Sequence, residues 1–256
     1  TVGLALFLAT LWVVGVDFFP DDRTGTDWLV VLSSGVVGIG LADTILFAAL
    51  NRIGAGRFSI VECVYSPFVV LCSFIYLSEP MTPILFLSMG LMVAAIIIGV
   101  WKSGAVGGSS GVSQHRAGVI LGVIAIFLTA ASVVFVKPLL DRADVWWVST
   151  MRLAGGVVVL LVYTAFSSQR RDVLASLSRA STWRLALPAA LVGTYLGYLF
   201  WNMGMKYTYT TVASVLNQSS NILILLLSWL VLKEKLGFRQ WLAVAMGIGG
   251  AVLIIL

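Results

Sequence analysis

Histidine and cysteine are nearly absent from this chain, with one His and two Cys in 256 residues. Cys63 and Cys72 lie in one apolar run, nine residues apart, which puts them on opposite faces of a helix where they cannot bond to each other. His115 stands alone in a loop-like stretch, so no cluster of histidines and cysteines can hold a metal. Charge is scarce too, at 11% of residues, where a soluble domain carries about 25%. No GxxxxGK[ST] loop occurs, which removes nucleotide hydrolysis as a built-in energy source. Alternating ten-residue segments, the mark of a membrane barrel, are also missing. No nucleophile converges with a base and an orienting group, so an enzyme is not expected, and neither is a cofactor.

What remains is overwhelmingly apolar. Hydrophobic residues make up 60% of the chain and the mean hydropathy is +1.03. Apolar runs of about 18 to 25 residues, each long enough to cross roughly 30 Å of hydrocarbon as a helix, recur from end to end. Nine spans are read, near residues 2–16, 28–50, 55–77, 83–101, 118–136, 146–166, 185–205, 211–232 and 241–256. The fold expected is an all-α polytopic membrane helical bundle. The net charge of +5 is spread over connecting loops, so it reports topology and gives no sign of nucleic-acid binding. Lys and Arg are concentrated in loops 51–57, 102–116, 167–184 and 233–239. The positive-inside rule places these loops and Thr1 in the cytoplasm and Leu256 on the far side.

The span 55–77 carries Ser59, Glu62, Ser66 and Ser73 along one helical stripe, with Tyr65 beside them. Adding 155 to each of the four gives Ser214, Asn217, Asn221 and Ser228 in a later span. The same shift aligns Asp17 with Asp172, Trp28 with Trp183, Gly38 with Gly193 and Glu79 with Glu234 without a gap. A constant register over about a hundred residues points to internal duplication. Residues 1–102 form the first repeat, 103–116 a Gly/Ser-rich linker and 117–256 the second repeat. Thr1 aligns with Gly156, so the second repeat has one more span than the first, and a ten-span parent of two five-helix repeats is expected. An odd number of spans per repeat orients the two copies oppositely.

Lys137 followed by Arg152, the run Glu234, Lys235, Leu236 with Gln240, and Gly247, Gly249 and Gly250 together resemble the repeat signature of the drug/metabolite transporter superfamily, in its EamA-like family. Glu79, Met81, Thr82, Gly90 and Gly99 are similar in the first repeat, with Leu85 standing where the family has Gln. The resemblance covers essentially the whole chain and implies two inverted five-helix repeats that move small organic metabolites. It also implies a cytoplasmic C-terminus, the reverse of what the loop charges give.

Glu62 lies about seven residues beyond the turn near Gly54 and Asp43 about eight before that turn in the adjoining span, so both sit roughly 10 to 12 Å deep. A carboxylate at that depth costs several kcal/mol unless it meets water, a donor or a cation, so each is read as facing the interior, as a site for protons or a cationic group. Structural hydrogen bonding between helices is the plainer alternative. Ser59, Tyr65, Ser66, Asn217, Gln218 and Asn221 are candidates to line the same cavity. Tyr195, Tyr198, Trp201 and Asn202 make a polar-aromatic face at spacings of three and four. Trp201, Tyr207 and Tyr209 fit an interfacial aromatic belt equally well, as do Trp146 and Trp147. Lys137 and Arg152 are candidates for the cavity mouth, with snorkelling to the interface as their plain reading. Pro67 and Pro188 are expected to bend their helices, while Ser34, Gly38, Ala42, Gly193 and Gly197 are read as close-packing positions. These observations favour a secondary transporter of small metabolites such as amino acids, an exporter or exchanger of the prokaryotic inner membrane with proton coupling, as monomer or homodimer. A lipid-carrier flippase and a membrane-embedded enzyme on lipid-linked substrates are the rivals.

Overall fold

The computed structural model describes residues 1–77, 83–96, 98, 108–167, 170, 175, 180–208, 210–217, 220, 224, 227, 229–231, 233 and 237–253. Among these there are helices and no strands. They run in the order α1 (Val2–Val14), α2 (Gly25–Gly35), a π-helical segment π1 (Val36–Leu41), α3 (Ala42–Ile53), α4 (Ala55–Glu62), α5 (Tyr65–Leu77), α6 (Pro83–Ile96), α7 (Gly108–Arg142) and α8 (Val145–Phe166). Then follow α9 (Ala180–Ala189), a second π segment π2 (Ala190–Gly197), α10 (Tyr198–Tyr207), α11 (Thr210–Asn217) and α12 (Phe238–Leu253). Among the described residues, four stretches are long and apolar enough to cross a membrane, namely Gly25–Ile53, Ala55–Leu77, Gln114–Arg142 and Val145–Phe166. Shorter apolar helices at Val2–Val14 and Trp241–Gly250 accompany them. The chain is an all-α membrane helical bundle.

The offset of 155 reappears in the π segments, since π1 falls wholly within the positions 155 before π2. A π turn admits one extra residue and interrupts the regular i→i−4 ladder, so finding it twice at the same register ties local backbone geometry to the repeated sequence.

The helices gather into two compact units that cut across the sequence halves: residues 1–41 with 135–208, and residues 42–134 with 209–256. In the first, α8 is the centre, packing against α1, α2, π1 and α10, while α1 also packs on π2. Glycine makes the α2–α8 approach possible. A Cβ on Gly35 would stand 2.0 Å from the Arg152 carbonyl oxygen, and one on Gly155 would stand 2.6 Å from that of Leu32. Gly156 against Ile39 and Gly40 against Val159 continue the seam, so the backbones here are in direct contact. Gly193, expected to pack in the same way, has open space around it, and Gly197 faces only the carbonyl of Val192 in its own helix. Their spacing of four was a real pattern without a neighbour to use it.

The entry loop of the first unit is strongly tied down. Thr24 and Asp27 form a capping box at the start of α2, with the Asp27 amide donating to Thr24 Oγ1 at 3.3 Å and the Thr24 amide donating to Asp27 Oδ2 at 3.1 Å. Buried Asp27 also pairs with Arg142 at the end of α7. Trp147 lies beside them at 1% exposure, donating its indole N–H to the Phe18 carbonyl at 3.1 Å and packing edge-on to Trp28 with ring centres 5.1 Å apart. An interfacial place for Trp147 is therefore overturned: an indole whose N–H finds a backbone carbonyl inside the protein has no need of the headgroup layer.

In the second unit α12 packs on α6 and α4, α11 on α5, and α3 on α4. Gly118 and Gly122 bring α7 against Ile53 and Phe58, and Phe68 meets Phe127 edge-on at 5.3 Å. Residues 108–116, read as part of a flexible linker, are helical in α7, and His115 is buried instead of lying in a loop. Once nucleated in the following span, a helix extends backwards through poor formers at small cost per residue.

The glycine seam gives a direct test. Gly35→Ala is expected to lower stability by about 1 to 3 kcal/mol, as overpacking against a backbone cannot be relieved by a side-chain rotation. Gly193→Ala, in open space, should stay within about 0.5 kcal/mol of the parent. Thermal unfolding of both variants in detergent, followed by loss of monodisperse protein, separates the two outcomes.

Candidate functional site

The apolar stretch Ala55–Leu77 is not one continuous helix. Helix α4 stops at Glu62 and α5 starts at Tyr65. Between them the backbone tightens, with the Cys63 amide donating to the Ile60 carbonyl and the Val64 amide to the Val61 carbonyl, both at 3.2 Å and both three residues back. Pro67 supplies the cause: it has no N–H for the Cys63 carbonyl, and its ring disfavours a regular turn before it. Regular bonding resumes with the Phe68 amide on the Val64 carbonyl at 3.1 Å. The expected bend at Pro67 thus takes the form of a break in mid-span, with Glu62 the last residue of the first half-helix.

Glu62 is half-buried at this break, and so is Asp43 on α3, the helix that turns into α4 at Gly54. The serines of the stripe divide by role. Buried Ser59 donates to the Gly56 carbonyl of its own helix at 2.9 Å, which satisfies it locally. Buried Ser66 donates to the Ser214 carbonyl at 3.0 Å, so the first half of the stripe is physically fastened to its counterpart on α11. Buried Ser73 Oγ has no partner among the described residues. Tyr65 is buried, and Asn217 is half-buried at the end of α11. Gln218, Asn221 and Ser228 lie outside the described residues, as do Glu79, Glu234 and Lys235. Gly247 on α12 permits close approach to the break, since a Cβ there would stand 2.5 Å from Cys63 Sγ.

Tyr195, Tyr198, Asn202, Lys137 and Arg152 belong to the other compact unit, where they form a second polar group. Asn202, 0% exposed on α10, donates from Nδ2 to Ser149 Oγ on α8 at 3.0 Å, while its Oδ1 has no partner among the described residues. The Tyr198 hydroxyl, one turn earlier on the same helix, is likewise buried without one. Each such atom costs about 1 to 3 kcal/mol relative to a bonded state, so a ligand group or a rearranged neighbour that satisfies them is stabilised by that amount. Aromatic rings adjoin this face, with Phe7 edge-on to Tyr195 at 4.9 Å and to Tyr198 at 6.0 Å, and Tyr198 stacked on Trp201 at 6.5 Å. The Tyr195 hydroxyl shares a 2.6 Å hydrogen bond with Thr10.

Arg152, one turn after Ser149 on α8, is 2% exposed, so it does not snorkel to a surface. Lys137 is also buried and pairs with Asp141 one turn on. Asp27 was missed as a buried charge because four aspartates crowd its loop. The Thr24-x-x-Asp27 spacing was the available signal, since a capping box fixes that side chain against the helix end.

A polytopic helical bundle with a half-buried carboxylate at a helix break has features that membrane transporters use. The family follows from the sequence match: residues 1–101 and 116–256 fit the EamA-like transporter family, and the chain belongs to it. It is accordingly an integral membrane protein of a family that transports small molecules. No curated protein matches it closely enough to narrow this further. Among solved structures, one crystal structure is similar over 99% of this chain and 85% of its own, with a TM-score of 0.68 and 18% identity, a likeness of fold.

The orphaned amide oxygen is testable apart from transport. Asn202→Leu should change unfolding stability by no more than about 1 kcal/mol, because the lost bond to Ser149 is offset by removing the unsatisfied Oδ1. Asn202→Asp, which buries a carboxyl at the same point, should cost several kcal/mol in the same detergent melt.

Proposed function

We propose that this protein is a secondary transporter of small organic metabolites, amino acids among them, working as an exporter or exchanger in the inner membrane of a prokaryote. The observation that carries this reading is the broken span with Glu62 at the end of its first half-helix. Transporters of inverted-repeat design place substrate and coupling-ion sites at such discontinuous helices, where half-helix ends and a carboxylate can meet a polar solute inside the hydrocarbon. Two repeats, 1–102 and 117–256 about the segment 103–116, are supported by the two π segments, which lie at positions 155 apart.

Each polar group then has a role. Glu62 takes a proton or a cationic substrate group, with Asp43 as the second acid at similar depth. Ser66 and Asn217 shape the cavity, together with Tyr65, Gln218 and Asn221. Ser59, bonded within its own helix, serves mainly to keep that face small. Tyr195, Tyr198 and Asn202 offer aromatic surface and two unsatisfied oxygens to a solute that donates hydrogen bonds. Lys137 and Arg152 are the gating candidates of the unit that holds Asn202. The sequence pattern offers no nucleotide loop, so the energy comes from a gradient or from exchange.

Reconstitution in proteoliposomes, with counterflow of labelled metabolites at several pH values, tests the proposal. Glu62→Gln is expected to lower the initial rate by roughly tenfold or more and to flatten its pH dependence, since the amide keeps the shape and cannot carry a proton. An unchanged rate and pH profile in that variant would remove Glu62 from the mechanism.

A further inference from the structure

The compact units are joined by the chain at three places, between residues 41 and 42, 134 and 135, and 208 and 209. At the first the helix type changes, the second lies in continuous helix four residues before a proline, and at the third a helix has ended. Leu41 is the last residue of π1, and Ala42 opens an ordinary α-helix, so the ladder changes there from i→i−5 to i→i−4 bonding. Val134 is four residues before Pro138, inside α7, and a proline has no N–H to give to that carbonyl. Thr208 ends α10 in an extended conformation.

The two helical crossings are also anchored on both sides. Before the first, Ile39 and Gly40 are held on α8 through Gly156 and Val159, and after it α3 packs on α4. Before the second, Gly118, Gly122 and Phe127 hold α7 to α3, α4 and α5. After it, Arg142 pairs with Asp27. Pro138 itself is exposed on the outer face of the helix. It fills no gap in the packing, so its effect on the protein is exerted through the missing backbone bond.

We propose that the Leu41–Ala42 and Val134–Phe135 junctions are hinges, and that the two compact units, not the two sequence repeats, are the bodies that move during transport. The proposal rests on the transport reading for its purpose, though not for its test. Hinges are few, sit at element ends and absorb backbone rotation, and these junctions have that character while the helix arms on either side are locked.

Pro138→Ala restores the amide donor to Val134 without altering a packed surface. It is expected to lower the initial transport rate roughly fivefold or more with KM within about twofold, and to melt no lower than the parent. Spin labels at Tyr163 and Ile75, one in each unit, and at Leu29 and Tyr163, both in the first, report the motion directly when introduced into a background lacking Cys63 and Cys72. Two distance populations are expected for the first pair, one for the second, and a loss of one population from the first pair in Pro138→Ala. A within-unit pair as broad as the cross-unit pair, a cross-unit distribution unmoved by Pro138→Ala, or a lower melting point in that variant would each overturn the hinge assignment. Two cross-unit populations in a protein that moves no solute would overturn the transport reading and leave the hinges standing.

Discussion

A peptide carbonyl in hydrocarbon has no water to turn to, and this constraint governs the rest of the structure. It forces every long apolar run into a helix whose backbone groups bond to one another. It also makes any interruption costly, so interruptions persist only where neighbouring groups or the protein interior can receive the released atoms. Among the described residues, Pro67 opens the span at Glu62, Pro138 and Pro188 each lie inside a helix where they remove one bond, and the segments π1 and π2 loosen the backbone further. The carboxylate, the fastening of Ser66 to Ser214 and the unsatisfied Asn202 oxygen lie on or beside interrupted spans, or on helices packed against them.

The membrane class and the helical fold were legible in the sequence because they depend on summed hydrophobicity, which no single neighbour can reverse. The shift of 155 is likewise a property of the whole chain, and the two π segments fall at matching positions under it. Pro67 announced the break, since the missing donor is covalent and travels with the sequence. What could not be read was which side of each residue faces a neighbour. Trp147 has the composition of a belt residue and the position of a core residue, decided by the Phe18 carbonyl 129 positions earlier. Gly193 and Gly35 are equally small, and only one of them meets a backbone. Arg152 is sunk by packing around α8, although its side chain alone is long enough to reach an interface.

Duplication and compaction divide the chain in different ways. The sequence halves meet near residue 110, whereas each compact unit takes helices from both. The polar residues follow the second division: Asp43, Ser59, Glu62, Tyr65, Ser66 and Asn217 fall in one unit, and Lys137, Arg152, Tyr195, Tyr198 and Asn202 in the other. One set is acidic and hydroxylic, the other basic and aromatic, and positions 155 apart differ in kind too, with Asn217 against Glu62 and Tyr198 against Asp43.

The pair between Asp27 and Arg142 spans 115 residues of sequence, and that separation sets an order of events in biosynthesis. Thr24 and Asp27 can close their capping box as soon as α2 emerges, because both partners are local. The ion pair with Arg142 has no partner to form with until the end of α7 exists, and Trp147 closes over the same corner through the Phe18 carbonyl. The start of α2 therefore combines a cap that its own residues supply with a seal that depends on distant sequence.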